Sequence, residues 1–241
     1  MKSRKLKVAA KILTVCLVLG IAGFLWYVND YYHSEPFVEA YLQGNETIQV
    51  SEIKEGIYLD GPGKEAAVIF YPGAKVEYTA YLPLFWEVAA RGTDCFLVKM
   101  PCNLAIFGVN KAGKLTERYE YEKWYLAGHS LGGAMAASYC SEHLEDVNGL
   151  ILLAAYSTKS LVADEFRVLS IYGSEDQVLN RKKLETGRIY MPGDYQEVCI
   201  PGGNHAQFGA YGVQKGDGTA TISFEEQIKQ TADRIEAFIE K

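Results

Sequence analysis

The sequence predicts a single three-layer α/β domain with a mostly parallel sheet, preceded by one N-terminal transmembrane helix. Three observations lead there. Runs such as AAVIF (66–70) and GLILLAA (149–155) lack polar alternation, which suits strands covered on both faces. Helix-like stretches separate these runs, as parallel connections require. The stretch ILTVCLVLGIAGFLWYV, residues 12–28, carries no charge at all.

Counted from Val8 to Val28, the apolar segment has 21 residues. As a helix it would span roughly 31 Å, the hydrocarbon thickness of a bilayer. Trp26, Tyr27, Tyr31 and Tyr32 fall where an interfacial aromatic belt would sit. The first eleven residues hold five basic side chains and no acid, so the N-terminus, with a basic segment over residues 1–7, is expected in the cytoplasm and the main body outside. The alternative is a cleaved signal peptide and a secreted domain, with Gly20-Ile21-Ala22 offering small residues for cleavage. A polar tether is expected over 29–46, and the folded domain over 47–241.

Beyond residue 11 the chain carries 19 basic against 30 acidic residues, which disfavours nucleic acid and anionic lipid surfaces as partners. Outside the apolar segment lie Cys95, Cys102, Cys140 and Cys199, with no CxxC and no Cys/His grouping at metal spacing. Free thiols, those of Cys95, Cys140 and Cys199 in the core, and no metal or other cofactor are the expectation.

Strands are expected at 47–53, 56–60, 66–71, 95–100, 124–127, 149–155, 168–172 and 197–200. Helices are expected at 81–91, 131–143, 177–186 and 224–240. The last opens on Ser223 with Glu226 three residues on, a capping-box pattern.

In KWYLAGHSLGGAMAASYC the fifth strand runs into Gly128-His129-Ser130-Leu131-Gly132 and then a small-residue helix. This is G-x-S-x-G in the strand–turn–helix setting of a nucleophile elbow. The turn is tight enough that a β-carbon at Gly128 or Gly132 would strike a neighbour, and Ser130 is left at a helix N-terminus that favours negative charge. A serine hydroxyl needs a base, and the base an acid to hold its ring. Of the four histidines, His33 lies in the tether, His143 ends a helix, and the backbone aims His129 away from the Ser130 hydroxyl. His205, in the loop IPGGNHAQFGAYGVQKGDG, is left as the base. The acid is expected just past the strand in VLSIYGSEDQVLN, where Asp176 is preferred to Glu175. Two backbone amides should receive an oxyanion. One is that of Leu131; the other comes from Tyr71-Pro72-Gly73-Ala74, with Ala74 preferred and Lys75 second.

The segments YPGA, GHSLGG, GSED and GGNHAQFG resemble the α/β-hydrolase superfamily from about Ala66 to the C-terminus. Extended through YGVQKGDG, the last is similar to a compact bacterial branch with dienelactone-hydrolase-like proportions, often anchored by one N-terminal helix. That enzyme type has cysteine at the elbow where this chain has Ser130, so its lactone substrate does not carry over. Only about a dozen residues join Ala155 to Val168, too few for a helical lid, which implies an open, shallow cleft without room for long acyl chains. Tyr78, Tyr81 and Phe208 are candidates to line it.

The expected function is a membrane-anchored serine hydrolase acting on small or accessible carboxylic esters through Ser130, His205 and Asp176. Two alternatives stay open: an acyltransferase on envelope components, which shares the acyl-enzyme, and a non-catalytic binding protein on the same fold.

Overall fold

The computed structural model describes residues 2–241, so Met1, where the basic segment begins, lies outside the described residues. The chain divides after Tyr31 into two compact units. The first contains helix α1, Lys2–Asn29, which runs on through the basic residues instead of starting at Val8. Its portion Ala10–Asn29 is long and apolar enough to cross a membrane, and its side chains are almost all exposed.

The second unit is built on eight strands: β1 Gln49–Ile53, β2 Gly56–Asp60, β3 Ala66–Tyr71, β4 Asp94–Val98, β5 Lys123–His129, β6 Gly149–Leu153, β7 Arg167–Gly173 and β8 Asp194–Ile200. They form one sheet in the order β1-β2-β4-β3-β5-β6-β7-β8. The pairs β1–β2 and β2–β4 are antiparallel and every other pair is parallel. The intervening helices are α2 Leu82–Ala90, α3 Lys111–Thr116, α4 Leu131–Cys140, α5 Arg181–Gly187 and α6 Phe224–Ile239.

Every residue of β3, β4 and β6 is buried, the pattern of strands with both faces covered. Successive residues of β3 feed two different cores. Val68 and Phe70 pack with Phe85 of α2 and Ile235 and Phe238 of α6. Ala67, Ile69 and Tyr71 pack with Leu115 of α3 and Ala136 and Cys140 of α4. The period-two alternation of a strand therefore produces the three layers. Each large apolar side chain so buried contributes about 1.5–3 kcal/mol. On α6 the buried positions Ile228, Ala232, Ile235 and Ile239 repeat at helical spacing, and the Ser223 hydroxyl accepts the Glu226 amide at 3.1 Å as its cap.

Three further expectations differ from what is observed. The segment 29–46, expected as a tether, is part of the second unit from Tyr32 on: Tyr32 bridges Val76, its amide donates to the Lys75 carbonyl at 2.7 Å, and Val38 of the 3-10 turn Pro36–Gln43 is buried in the core. The polar look of the segment hid one apolar face. The helix expected from residue 177 starts only at Arg181, because the Asp176 carboxylate takes the amides of Val178 and Leu179 and turns the chain first; Asn180 then caps α5 through the Lys183 amide. All four cysteines of this unit are free, but Cys199 is exposed rather than in the core, since β8 is the sheet edge and its faces are only partly covered.

Candidate active site

Strand β5 ends at His129, and Ser130 adopts φ 52° and ψ −121° before α4 begins. A left-handed conformation costs a non-glycine residue roughly 1–3 kcal/mol and persists only where its surroundings hold it. The Ser130 amide donates to the Leu153 carbonyl at 2.9 Å, and the Ser130 carbonyl receives the Ala134 amide at 3.2 Å. Glycine makes the turn possible. A β-carbon on Gly128 would lie 2.5 Å from the backbone of Gly132 and Gly133, and one on Gly132 only 2.1 Å from the Tyr71 carbonyl oxygen. Ala154, after β6, is also left-handed, with φ 47°, and it lines the same pocket as Ser130.

His205 lies in the loop after β8 and is 1% exposed. Its Nδ1 stands 2.9 Å from Oδ2 of Asp176, which is equally withdrawn from water. Glu175 is instead bonded by the Ser174 hydroxyl. Of the two candidate carboxylates, only Asp176 meets the imidazole. Nε2 of His205 is buried and has no hydrogen-bond partner among the described residues.

The backbone on both sides of His205 is clamped. Gln227 of α6 accepts the Asn204 amide and donates to the Asn204 carbonyl, both at 2.9 Å, and Asp217 accepts the Ala206 amide at 2.8 Å. Sequence reasoning did not single out Gln227 or Asp217. Gln227 has no local signal, because it comes from the far side of the loop; the turn residues of QKGDG were the one hint of Asp217.

Ser130, Leu131 and His205 line one pocket of 240 Å³ with Ala134, Ala154, Ala155, Tyr156, Val178, Leu179 and Asn180. That volume is just below the usual range of about 300–1,000 Å³ for ligand pockets. The connection from Ala155 to Phe166 forms no helix over it. Tyr81 and Phe208, expected at the cleft, are fully buried, and the lining aromatic is Tyr156. A larger cavity of 460 Å³, with Glu35, Phe37, Asp217 and Glu225 in its wall, includes neither Ser130 nor His205.

The two amides expected to face an oxyanion differ from their neighbours. Lys75 donates its amide to the Asn103 carbonyl at 2.8 Å and Gly73 donates to the Tyr81 hydroxyl at 3.1 Å, so both are spent. The amides of Ala74 and Leu131 make no hydrogen bond among the described residues.

His129 points away from bulk solvent and is anything but idle. It is 1% exposed, its Nδ1 is 2.8 Å from the Tyr81 hydroxyl, and its ring lies 4.5 Å from that of His205. Burial first, and the neighbouring His205 second, hold its imidazole well below the ordinary histidine range.

A strained serine on a strand–helix turn, with an Asp–His pair brought to it from two later strand ends, is the arrangement this sheet topology is known to carry. The model of the alpha/beta hydrolase family matches residues 67–229. The chain belongs to that family. No curated protein matches it, but solved structures do. This hydrolase superposes on Est1E from Butyrivibrio proteoclasticus with a TM-score of 0.56 at 13% identity, covering 81% of this chain and all of the other. Against a membrane phospholipase A described as a bacterial virulence factor the TM-score is 0.60 at 14% identity, covering 95% and 97%. For the carboxylesterase CesB from Bacillus subtilis the values are 0.55 at 12% identity, covering 84% and 95%. At such identities the likeness speaks for the hydrolase fold alone.

Proposed function

We propose that this alpha/beta hydrolase is a serine esterase acting on small or accessible acyl esters, with Ser130 as nucleophile. The observation that carries the reading is the buried 2.9 Å contact of Asp176 with His205, in a pocket that His205 shares with the strained Ser130. His205 Nε2 takes the hydroxyl proton as Ser130 Oγ attacks the ester carbonyl; Asp176 holds Nδ1–H and steadies the imidazolium. The amides of Leu131 and Ala74 receive the oxyanion. Collapse expels the alcohol, which leaves with the proton from His205. Water, deprotonated by the same imidazole, then cleaves the acyl-enzyme to the acid. The small pocket and helix-free connection support short acyl groups. The apolar helix Ala10–Asn29 supports membrane anchoring, and the basic residues before it support a cytoplasmic N-terminus with the catalytic unit on the outer side.

A fluorophosphonate probe applied to the full chain in detergent tests this. Wild type should be labelled and Ser130→Ala should not, with ester hydrolysis lost in parallel. Hydrolysis undiminished in Ser130→Ala would overturn the assignment. A panel of p-nitrophenyl esters should be cleaved fastest at short acyl length; a maximum at long chains would contradict the reading of the pocket.

A further inference from the structure

The ring of His129 lies between two parts of the site that are far apart in sequence. One is the base, His205, 4.5 Å away ring to ring. The other is the loop after β3, reached through Tyr81. The Gly73 N–H donates to the Tyr81 hydroxyl at 3.1 Å, and the same hydroxyl is 2.8 Å from Nδ1 of His129. Tyr81 and His129 are both closed off from solvent, and Phe208 and Tyr211 complete the cage around the imidazole.

The hydrogens can be placed by counting. A phenol has one proton to give. With the Gly73 amide donating into its oxygen, the Tyr81 proton goes to Nδ1 of His129, and the imidazole proton sits on Nε2. The opposite tautomer would leave the Tyr81 proton and the Nε2 lone pair both unmatched in the interior. The first arrangement leaves only the Nε2–H, a buried donor short of a well-formed hydrogen bond, with the His205 backbone as its neighbour. Gly73 is fitted to this bridge: a β-carbon there would come within 2.8 Å of His129 Nδ1 and 3.0 Å of the Tyr81 hydroxyl. The neighbouring residue, Ala74, carries the amide assigned to the oxyanion.

We infer that Tyr81 and His129 are positioning residues, a buried bridge that locks the Gly73–Ala74 loop and the imidazole of His205 into one rigid unit. The inference rests on the serine-esterase reading and deepens it. The oxyanion donor and the base must be correctly placed at the same moment, and the bridge makes their separation a fixed property of the fold. His129 stays neutral, so the imidazolium formed on His205 meets an uncharged ring and not a second cation.

Two measurements on the full chain in detergent test the bridge. Tyr81→Phe keeps the ring and removes the hydroxyl; His129→Phe keeps an aromatic wall and removes Nδ1. Each should lower kcat for p-nitrophenyl acetate about 10- to 100-fold, the size of effect that misplacement of reacting groups produces. KM should stay within about twofold, since the ester itself is not touched. Because the two residues act in one bridge, the double variant should be no slower than the worse single. Multiplying losses, or unchanged kcat, would overturn the inference. Independently of activity, ¹⁵N spectra of the four histidines should show His129 as a neutral Nε2–H tautomer in wild type, with that preference lost in Tyr81→Phe. A wild-type proton on Nδ1 would also overturn it. Fluorophosphonate labelling separates the two claims: failure to label wild type strikes the assignment of Ser130, whereas normal labelling with unchanged Tyr81→Phe kinetics strikes the bridge alone.

Discussion

Oδ2 of Asp176 bonds Nδ1 of His205 at 2.9 Å while Oδ1 of the same carboxylate takes the amides of Val178 and Leu179 at 2.9 and 2.8 Å. One side chain thus orients the imidazole and turns the backbone that leads to α5. The two tasks can be separated by substitution. Asp176→Asn keeps an oxygen for the two amides but offers the imidazole an N–H, which forces the wrong tautomer. It should lose about 10³–10⁴ in kcat with little change in the urea midpoint. Asp176→Ala should lose comparable activity and in addition about 1–3 kcal/mol of stability, through the two orphaned amides. Equal stability for the two variants would count against this division.

The elbow depends on absent β-carbons. Gly132→Ala would force a methyl to within 2.1 Å of the Tyr71 carbonyl oxygen and 2.4 Å of that of Pro72, backbone atoms that cannot swing aside as a flexible side chain would. A loss of about 3 kcal/mol or more is expected by urea unfolding. Gly193→Ala meets nothing within 4 Å and should stay within about 0.5 kcal/mol of wild type.

Acid stability should bear the mark of His129. Its folded imidazole is held well below the ordinary histidine range by burial, whereas unfolding returns it to about 6.5. Below that pH the unfolded chain binds a proton that the folded chain refuses, so stability falls on acidification; above it the residue contributes no slope. His129→Phe should therefore flatten the stability curve below about pH 6.5, by up to about 1.4 kcal/mol per pH unit. Urea unfolding of both proteins at about pH 7.5 and about pH 5 measures this, and parallel curves would contradict it.

Thiol reactivity should follow exposure. Cys95 and Cys140 are fully buried, and burial raises both thiols above the ordinary cysteine range, leaving little thiolate to react. Cys102 and Cys199 are exposed. In the native catalytic unit Ellman's reagent should modify Cys102 and Cys199, and reach Cys95 and Cys140 only after denaturation; peptide mapping of alkylated protein would tell them apart.

Val38, 1% exposed in the core, makes the segment after Tyr31 part of the folded unit. Val38→Ala should cost about 2 kcal/mol in urea unfolding, two methyl groups plus the space they leave. A neutral result would mean that the segment is a tether after all.

What could be read ahead of the structure had local causes. Unbroken apolar runs marked β3 and β6 as doubly covered strands, a five-residue pattern marked the turn at Ser130, and Ser223 with Glu226 marked the start of α6. Other features escaped because their causes are distant. His129 looked turned away because its partners, Tyr81, Phe208 and Tyr211, come from other elements. Val38 and Tyr32 sit in a segment whose composition is polar, and one buried side chain leaves no periodic trace.

By itself the sequence determined the layered architecture, the tight turn that exposes Ser130, and which residue types were available as acid and base. Those follow from steric and hydrophobic preferences acting over a few residues. Only the tertiary structure decided which amides remain free, that Val38 belongs to the folded unit, and that the ring of His129 lies between Tyr81 and His205. Such choices depend on distances between groups dozens of residues apart, and those distances exist only once the sheet has brought its strand ends together.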